Sequence, residues 1–199
     1  MLDPFERDRA RRFRWVRDAD RYLAAHWGMR LILAALVEVE PWNLRLRVDS
    51  LGKLHIAHQG APSFSLSHCG ATAFIGASEV CPVGIDFELH REFNDLERLA
   101  RANLTATEWQ NFEKIEVDQR YAAFLTAWTR KEAALKALGC GLMVEPGVVE
   151  VGLKASPSTW MPPSNWGSDP VQLLPGLIFN DGYLGLALHG RPHARANSA

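Results

Sequence analysis

The sequence predicts an α+β protein, and three observations support that class. Two stretches, 4–39 and 118–138, repeat apolar residues at steps of three and four, which is typical of amphipathic helices. Around them, short segments alternate apolar and polar residues, as strands with one solvated face do. The 199 residues are 47% hydrophobic and 23% charged. The chain can therefore bury a core, and it has the size of one domain or of two half-sized units.

The first half is predicted to form one helical region followed by strands. The helical region covers 4–39, with a break expected near Asp18, and Pro41 ends it. Extended segments are predicted at 44–48, 54–57, 63–68, 71–77 and 83–88. The small apolar residues of 71–77 indicate a buried strand.

The second half is predicted to begin with helices and to end with strands. Helices are expected at 96–102, 107–114 and 118–138, and strands at 148–153, 177–179 and 183–189. Thr105 or Thr107 is a suitable N-cap, and Gly139 a suitable C-cap. The Pro-, Ser-, Asn- and Trp-rich stretch 155–170 should be irregular, and the tail 190–199 should fray.

Composition excludes several classes of protein. The formal net charge of −1 argues against a nucleic-acid-binding protein that relies on bulk positive charge. No apolar run reaches the ~20 residues of a membrane span, and the first residues lack a signal-peptide core, so we expect a cytoplasmic protein. Cys69, Cys81 and Cys140 show no CxxC spacing and are expected to be reduced thiols.

The charges are unevenly distributed along the chain. Residues 7–21 contain seven Arg against three Asp, a net charge of +4. Residues 79–118 contain ten acidic residues against four basic ones, a net charge of −6. Two solvated helix faces would explain this distribution, and so would one anion-binding and one cation-binding region.

Asp86 and Glu88 are the first candidate functional residues. Alternate side chains of a strand share a face, so these carboxylates project together, with Cα atoms about 6.5–7 Å apart. Ile85 and Phe87 would anchor the opposite face in the core. Two such anions repel each other unless a cation such as Mg²⁺ lies between them. Polar alternation on an exposed strand would give the same spacing.

The predicted helix at 118–138 carries a second group of candidates. Trp128, Glu132 and Lys136 follow one another at four-residue intervals and so lie on one face. A Glu–Lys pair at this spacing commonly stabilises an exposed helix. The neighbouring Trp, which favours burial, indicates instead an acid and a base at the rim of a cleft, where Glu132 could bind a metal and Lys136 a phosphate.

A third group comprises Ser67 and His68, followed by Gly70. No G-x-S-x-G turn surrounds the serine, so a nucleophile–base pair is disfavoured, and a phosphate-binding segment is the better interpretation. His189 and His193 have the spacing of a helical metal pair, but Gly190 and Pro192 would break a helix there.

These motifs together resemble the 4′-phosphopantetheinyl transferase superfamily, in particular its surfactin-synthetase-activating (Sfp-type) branch. The central motif is Val83-Gly-Ile-Asp-Phe-Glu88, and the signature helix runs from Trp128-Thr-Arg-Lys-Glu to Lys136. Supporting matches are the basic segment 9–30, the Gly52-Lys53 turn, the segment Phe64–His68 and the motif Leu104–Glu108. The resemblance implies two similar α+β halves, 1–90 and 91–199, related by a pseudo-twofold with the ligand cleft between them.

The resemblance also implies an activity. Such an enzyme transfers the 4′-phosphopantetheine group of coenzyme A to a serine of an apo acyl carrier protein or peptidyl carrier domain, and adenosine 3′,5′-bisphosphate leaves. The carrier would dock through its acidic recognition helix onto exposed basic or apolar residues between Asn103 and Gln119. Fatty acid, polyketide, pigment and nonribosomal peptide pathways are all open. Because 199 residues suffice for both halves, a monomer is expected.

Individual roles follow from the same resemblance. Asp86, Glu88 and Glu132 would hold Mg²⁺, although Mn²⁺ fits the same oxygen ligands. Glu132 or a metal-bound water would be the base, which makes Asp86, Glu132 and Lys136 the predicted catalytic residues. Contacts with coenzyme A are predicted at Arg9, Gly52, Lys53, Leu54, Ser67, His68, Lys131 and Lys136. Among these, Arg9 would contact the 3′-phosphate, and the Gly52–Leu54 turn would line the adenine pocket.

Two departures and two alternatives accompany this assignment. Leu54 occupies a position where the family usually has Pro, and Glu6 lies near a position that often carries a second basic residue for the 3′-phosphate.

One alternative function is that of a catalytically inactive coenzyme A-binding paralogue, although such a protein would have no physical reason to keep carboxylates that repel each other. The other is a Mg²⁺-dependent phosphoester hydrolase, which gives no reason for the Trp-to-Lys helix.

Overall fold

A computed structural model describes residues 2–91 and 94–190 and has the predicted α+β architecture. The helices are α1 Pro4–Ala10, α2 Val16–Leu36, α3 Leu96–Asn103, α4 Ala106–Phe112 and α5 Arg120–Leu138. The strands are β1 Leu46–Val48, β2 Leu54–Ile56, β3 Ser63–Cys69, β4 Thr72–Ser78, β5 Val83–Leu89, β6 Ser158–Trp160, β7 Val171–Leu173, β8 Leu177–Phe179 and β9 Gly182–His189. None of the described helices combines the length and the apolarity that crossing a bilayer requires.

The strands form two hairpins and one larger antiparallel sheet. β1 pairs with β2, and β3 pairs with β4. The larger sheet has the order β5-β9-β7-β6, and β8 also pairs with β9. β5 comes from the first half of the chain and β9 from the second, and Asp86 lies opposite Gly185 in their pairing. The two halves therefore share a sheet, and the division at residue 90 stays a prediction.

Helix α5 lies directly on β5 and β9 because glycines face it. A Cβ atom on Gly84 would lie 1.9 Å from the Ala133 carbonyl oxygen, and one on Gly185 would lie 2.3 Å from the Thr129 carbonyl oxygen. The facing helix residues Thr129 and Ala133 are small and fully buried. This close approach fixes α5 against the strand that carries Asp86.

The β3–β4 hairpin is joined to β5 by serine side chains. Three alternate N–H groups of β5 donate to three alternate serine hydroxyls of β3: Val83 to Ser63 at 3.3 Å, Ile85 to Ser65 at 3.1 Å and Phe87 to Ser67 at 3.1 Å. These hydroxyls take the place of a backbone ladder, so the buried β5 amides keep hydrogen-bond partners. As predicted, Ile85 and Phe87 are buried, on the face packed against Phe74 and Leu184.

A buried ion pair ties α4 to α5. The Lys131 ammonium lies 2.6 Å from Glu108 Oε2 and also donates to the carbonyl oxygens of Pro146 and Val149. Glu108 Oε1 accepts from the backbone of Val151 at 2.8 Å. Lys131 is fully buried, and its ammonium lies in the interior between α4, α5 and the segment after α5. The structure therefore does not bring Lys131 to a surface that coenzyme A could reach, and its contact with coenzyme A stays a prediction.

The Glu108–Lys131 pair, together with Arg130, explains why the strand predicted at 148–153 is absent. Val149 and Val151 are buried, as the apolar pattern indicated, but their carbonyl oxygens accept from Lys131 and Arg130 side chains. A short 3₁₀ turn at Pro146–Val148 precedes this irregular segment. Here cationic side chains donate to backbone carbonyl oxygens that would otherwise accept hydrogen bonds from a neighbouring strand.

Most other predicted elements are confirmed, with shifted ends. The helical region breaks at 11–15, earlier than Asp18. Thr105 caps α4, and Gly139 ends α5 in the left-handed conformation, with φ of 77°. β4 is only partly buried, which contradicts the predicted buried strand at 71–77. β6 and a 3₁₀ turn occur within 155–170, and β7 was not predicted. His193 and nearly all of the tail predicted to fray lie outside the described residues.

Substitution of Gly84 by Ala is expected to destabilise the protein severely. The added methyl group would overlap the α5 backbone, so the helix would have to move away from β5, at a cost of about 3 kcal/mol or more in the free energy of unfolding. Urea denaturation measures this change. Gly28→Ala is the matched control, because Gly28 lies in α2 with open space around it and should gain up to ~1 kcal/mol. Equal stabilities of the two variants would contradict the packing described for α5.

Substitution of Lys131 by Met is expected to cost about 3–5 kcal/mol of unfolding free energy, because Glu108 would be left as an uncompensated buried charge. The double variant Glu108→Gln/Lys131→Met should recover part of this loss, since no unpaired charge remains. Both values come from urea denaturation. A Lys131→Met protein of unchanged stability that has lost coenzyme A binding would instead support the ligand contact predicted from the motif.

Candidate active site

An open cavity of about 410 Å³ lies between elements of both halves. It is bounded by the turn before β2, by β3, by α5 and by His26 of α2. Six residues predicted to contact ligand line this cavity: Gly52, Lys53, Leu54, His68, Glu132 and Lys136. The structure thus brings together residues that are more than 80 positions apart in the sequence.

Asp86 lies beside this cavity and accepts hydrogen bonds from two residues that were predicted to contact the ligand. Its Oδ1 accepts a hydrogen bond from Lys136 Nζ at 2.6 Å and one from Ser67 Oγ at 3.0 Å. Its Oδ2 is buried and has no hydrogen-bond partner among the described residues. One carboxylate oxygen is therefore neutralised by a lysine, and the other is left for a further cationic or donor group.

Glu88 lies two residues further along β5 and is only half-buried. Its Oε2 accepts from the Cys69 thiol at 3.4 Å and lies 3.9 Å from an Arg91 guanidinium nitrogen. Burial and the nearby Glu88 carboxylate together raise the pKa of the Cys69 thiol. Cys69 is thus a protonated donor to Glu88, in line with the reduced thiol expected from the sequence.

Glu132 lies on the face of α5 that lines the cavity, one turn before Lys136. Burial raises the pKa of Glu132, and the negative charges of Asp86 and Glu88 raise it further, while Lys136 opposes them. The negative charges of Asp86 and Glu88 therefore repel the ionised form of Glu132. A carboxyl group with a raised pKa is suited to proton transfer near neutral pH.

The three carboxylates do not form a ready-made metal site. Within 2–91 and 94–190, no three His, Cys, Asp or Glu side chains are grouped so that they could hold a metal ion. Their chemistry nevertheless fits a hard divalent cation: the oxygen donors repel one another, and the buried Asp86 Oδ2 lacks a partner. The metal assignment of Asp86, Glu88 and Glu132 stays a prediction.

His68 lies at the edge of the cavity, next to aromatic residues of α2. Its ring centroid is 6.4 Å from that of Tyr22, which in turn lies 4.0 Å from the His26 ring. Burial lowers the pKa of His68, and the nearby His26 and Lys136 lower it further. Near neutral pH, His68 is therefore available as a neutral hydrogen-bonding side chain.

Lys53 connects the predicted adenine turn to α5. Its ammonium donates to the Lys136 carbonyl oxygen at 2.6 Å, near the C-terminus of that helix, where a cation is favourable. Burial lowers the pKa of Lys53. Gly52 adopts a positive φ of 88°, and Leu54 begins β2, so the turn forms without the usual Pro.

The sequence interpretation missed the role of His26 and misjudged Glu6. His26 lines the cavity, and its Nδ1 lies 3.0 Å from Glu6 Oε1. Glu6 is fully buried and also accepts from Arg30 Nε at 2.8 Å, so it does not point toward a bound phosphate. Polar residues recur every four positions at Tyr22, His26 and Arg30, and this spacing could have indicated the buried network.

Arg9 is not brought to the cavity. Its side chain is exposed on α1 and is absent from the residues that line the cavity. It lies close enough to Tyr22 to lower the pKa of that phenol, an effect outweighed by burial and by Glu6. The predicted contact of Arg9 with a 3′-phosphate stays a prediction.

Residues 82–166 match the family model of the 4′-phosphopantetheinyl transferase superfamily. The chain is 33% identical to the 4′-phosphopantetheinyl transferase HetI of Nostoc sp. over 144 residues, which cover 71% of this chain and 61% of HetI. It is 28% identical to the 4′-phosphopantetheinyl transferase Sfp of Bacillus subtilis over 142 residues, 71% of this chain and 62% of Sfp.

A solved structure, the holo-[acyl-carrier-protein] synthase of Thermotoga maritima, aligns with a TM-score of 0.43 and 22% identity over 56% of this chain and 64% of that one. The chain spans less than two thirds of the length of HetI and Sfp. The family match covers β5, Glu132 and Lys136, which carry the central and signature motifs. The resemblance read from those motifs is thereby confirmed: residues 82–166 match the 4′-phosphopantetheinyl transferase superfamily.

Proposed function

We propose that the protein transfers the 4′-phosphopantetheine group of coenzyme A to a serine hydroxyl of an apo acyl carrier protein or peptidyl carrier domain. The observation that carries this proposal is the contact of Lys136 with Asp86 at 2.6 Å beside the cavity. It unites the two motifs most specific to the superfamily in one site. The names of the relatives HetI and Sfp support the same activity.

Coenzyme A would occupy the cavity with its adenine at the Gly52–Leu54 turn. Backbone groups of that turn and the apolar wall formed by Leu54 suit a planar base. His68 and Lys136, which both line the cavity, would donate to pyrophosphate oxygens. The predicted contact of Ser67 requires its hydroxyl to leave Asp86 Oδ1, to which it donates in the structure. This placement leaves the pyrophosphate next to Asp86 and Glu132.

Asp86, Glu88 and Glu132 would hold Mg²⁺, or Mn²⁺, against the pyrophosphate. When bound there, the ion supplies electrophilic polarisation of the phosphoryl group and offsets charge on the leaving bisphosphate. The unpartnered Asp86 Oδ2 supports this assignment.

Glu132 is proposed as the general base. The acceptor serine oxygen forms a bond to the β-phosphorus, its proton passes to a Glu132 carboxylate oxygen, and the P–O bond to adenosine 3′,5′-bisphosphate breaks. Burial raises the pKa of Glu132, which favours acceptance of that proton. Lys136 would stabilise negative charge on the transferred phosphoryl group.

An assay by intact mass tests the activity. Native protein, coenzyme A and Mg²⁺ are incubated with several apo acyl carrier proteins, and one carrier is expected to gain the mass of one phosphopantetheine. Binding of coenzyme A without a mass shift on any carrier would favour the inactive paralogue. Consumption of coenzyme A in the absence of a carrier would favour the hydrolase.

Substitution of Glu132 by Ala is expected to lower the transfer rate about a hundredfold or more, because the base and one proposed metal ligand are lost together. Coenzyme A affinity, measured by titration calorimetry without metal, should change less than about threefold, since removing an anion from the cavity does not weaken phosphate binding. Glu40→Ala, which removes an exposed carboxylate that does not line the cavity, is the control and should keep the native rate. Native turnover by Glu132→Ala would show that the site has been misassigned.

A further inference from the structure

His26 is a basic residue of the cavity that the proposed mechanism does not use. It lies in α2, it is only 6% exposed, and it lines the cavity. Its Nδ1 lies 3.0 Å from Glu6 Oε1. Its Nε2 has no hydrogen-bond partner among residues 2–91 and 94–190. One nitrogen of a nearly buried ring is therefore left for a molecule in the cavity.

Glu6 determines which ring nitrogen of His26 carries a hydrogen. Burial raises the pKa of the Glu6 carboxyl, but hydrogen bonds from His26, the Asp3 N–H and Arg30 outweigh this effect, so the pKa is lowered. Glu6 is therefore ionised near neutral pH and can only accept hydrogen bonds. Nδ1 of His26 is consequently the N–H donor to Glu6, and Nε2 is the nitrogen that remains for a ligand.

The orientation of the His26 ring is fixed by its buried neighbours. The ring centroid of Tyr22, a buried residue of the same helix, lies 4.0 Å from that of His26. Arg30 is 2% exposed and donates to Glu6 Oε2 at 2.8 Å and to the Leu44 carbonyl oxygen at 3.1 Å, which anchors the Glu6 carboxylate. A ligand that contacts Nε2 thus meets a side chain that is already ordered.

Four basic side chains of the described residues line the cavity, namely His26, Lys53, His68 and Lys136. Lys53 donates to the Lys136 carbonyl oxygen, and Lys136 donates to Asp86. Under the proposed function, His68 and Lys136 contact the pyrophosphate. His26 is the basic side chain that remains without a proposed contact.

Coenzyme A carries a third phosphate group, on the ribose between its adenine and its pyrophosphate. This phosphate monoester is charged, so it needs a hydrogen-bonding partner where it leaves water. Arg9, which the motifs led us to expect there, is exposed and is not among the residues that line the cavity. Burial lowers the pKa of His68, and His26 is close enough to lower it further. A ligand whose pyrophosphate reaches His68 can therefore reach His26 with its ribose phosphate.

We propose that Nε2 of His26 forms a hydrogen bond with the ribose phosphate of coenzyme A and gives the enzyme a preference for coenzyme A over 3′-dephospho-coenzyme A. This inference rests on the proposed function, because it names a specificity-determining residue for the donor substrate. The hydrogen of the bond comes either from a doubly protonated His26 or from a monoanionic phosphate, which has an O–H of its own. Glu6 is a positioning residue that acts on the ligand through His26.

Two substitutions separate a ligand contact from a purely structural role of His26. His26→Asn keeps an N–H near the position of Nδ1, where it can donate to Glu6, and loses Nε2. His26→Gln places its amide nitrogen near the position of Nε2 and loses the donor to Glu6. Binding of coenzyme A and of 3′-dephospho-coenzyme A is measured by titration calorimetry, and the free energy of unfolding by urea denaturation.

We expect the native protein to bind coenzyme A about tenfold or more tightly than 3′-dephospho-coenzyme A. His26→Asn should raise the Kd for coenzyme A about tenfold and change the Kd for the dephospho compound less than about twofold. His26→Gln should restore part of the preference, although it is expected to be the less stable variant, because Glu6 Oε1 loses its donor. His58→Asn, at a histidine that does not line the cavity, is the control and should keep both Kd values.

A measurement on the native protein covers the case in which the variants do not fold. The imidazole NMR signals of His26 should shift on addition of adenosine 3′,5′-bisphosphate and stay nearly unchanged with adenosine 5′-phosphate. Equal shifts with the two nucleotides would contradict the inference.

The outcomes distinguish this inference from the proposed function. If His26→Asn abolishes the preference for coenzyme A but no carrier gains mass, the contact stands and the transfer activity is wrong. If a carrier gains mass but the native protein shows no preference, or His26→Asn weakens binding of both ligands equally, the inference is overturned and the transfer activity stands. A preference that persists in His26→Asn would overturn the inference as well.

Discussion

The close approach of α5 to the paired strands β5 and β9 is the constraint on which the rest of the structure depends. Gly84 and Gly185 leave no side chain between the strands and the helix backbone, and Thr129 and Ala133 face them. Asp86 lies two residues after Gly84 and projects from the same face of β5. The helix therefore presents Lys136 to Asp86 at hydrogen-bonding distance. A looser packing of α5 would separate the two motifs that form the site.

Elements with a strong local signal were predictable from the sequence, and so were the residues of the two specific motifs. Periodicity located α5 and its Gly139 cap, and alternation located β3, β5 and β9. The order of the strands in the sheet could not be inferred, because pairing depends on partners distant in sequence. The pairing of β5 with β9 across the two halves is such a case.

Buried polar residues account for the main differences between the structure and what the sequence predicted. Lys131 was predicted to contact the ligand because it precedes Glu132 in the signature motif. Consecutive side chains of a helix, however, point about 100° apart, and the Lys131 side chain points into the core. The same lysine, with Arg130, satisfies the carbonyls of the segment predicted as a strand at 148–153. The Glu6 carboxylate likewise contacts the buried side chains of Arg30 and His26 and does not face solvent. Local pattern does not reveal a buried cation whose partners come from other segments.

The Asp86–Lys136 pair links the proposed binding events to each other. In the structure Lys136 neutralises one oxygen of Asp86, and without that contact the buried carboxylate would be left uncompensated. A phosphate that draws Lys136 away is therefore costly to bind unless another cation reaches Asp86. A cation that reaches Asp86, in turn, frees Lys136 for the phosphate. Under the proposed function, binding of the nucleotide and of the metal should consequently favour each other, because linkage between two sites is reciprocal. Under that function, the ion pair would disfavour binding of either ligand alone and would favour binding of both together.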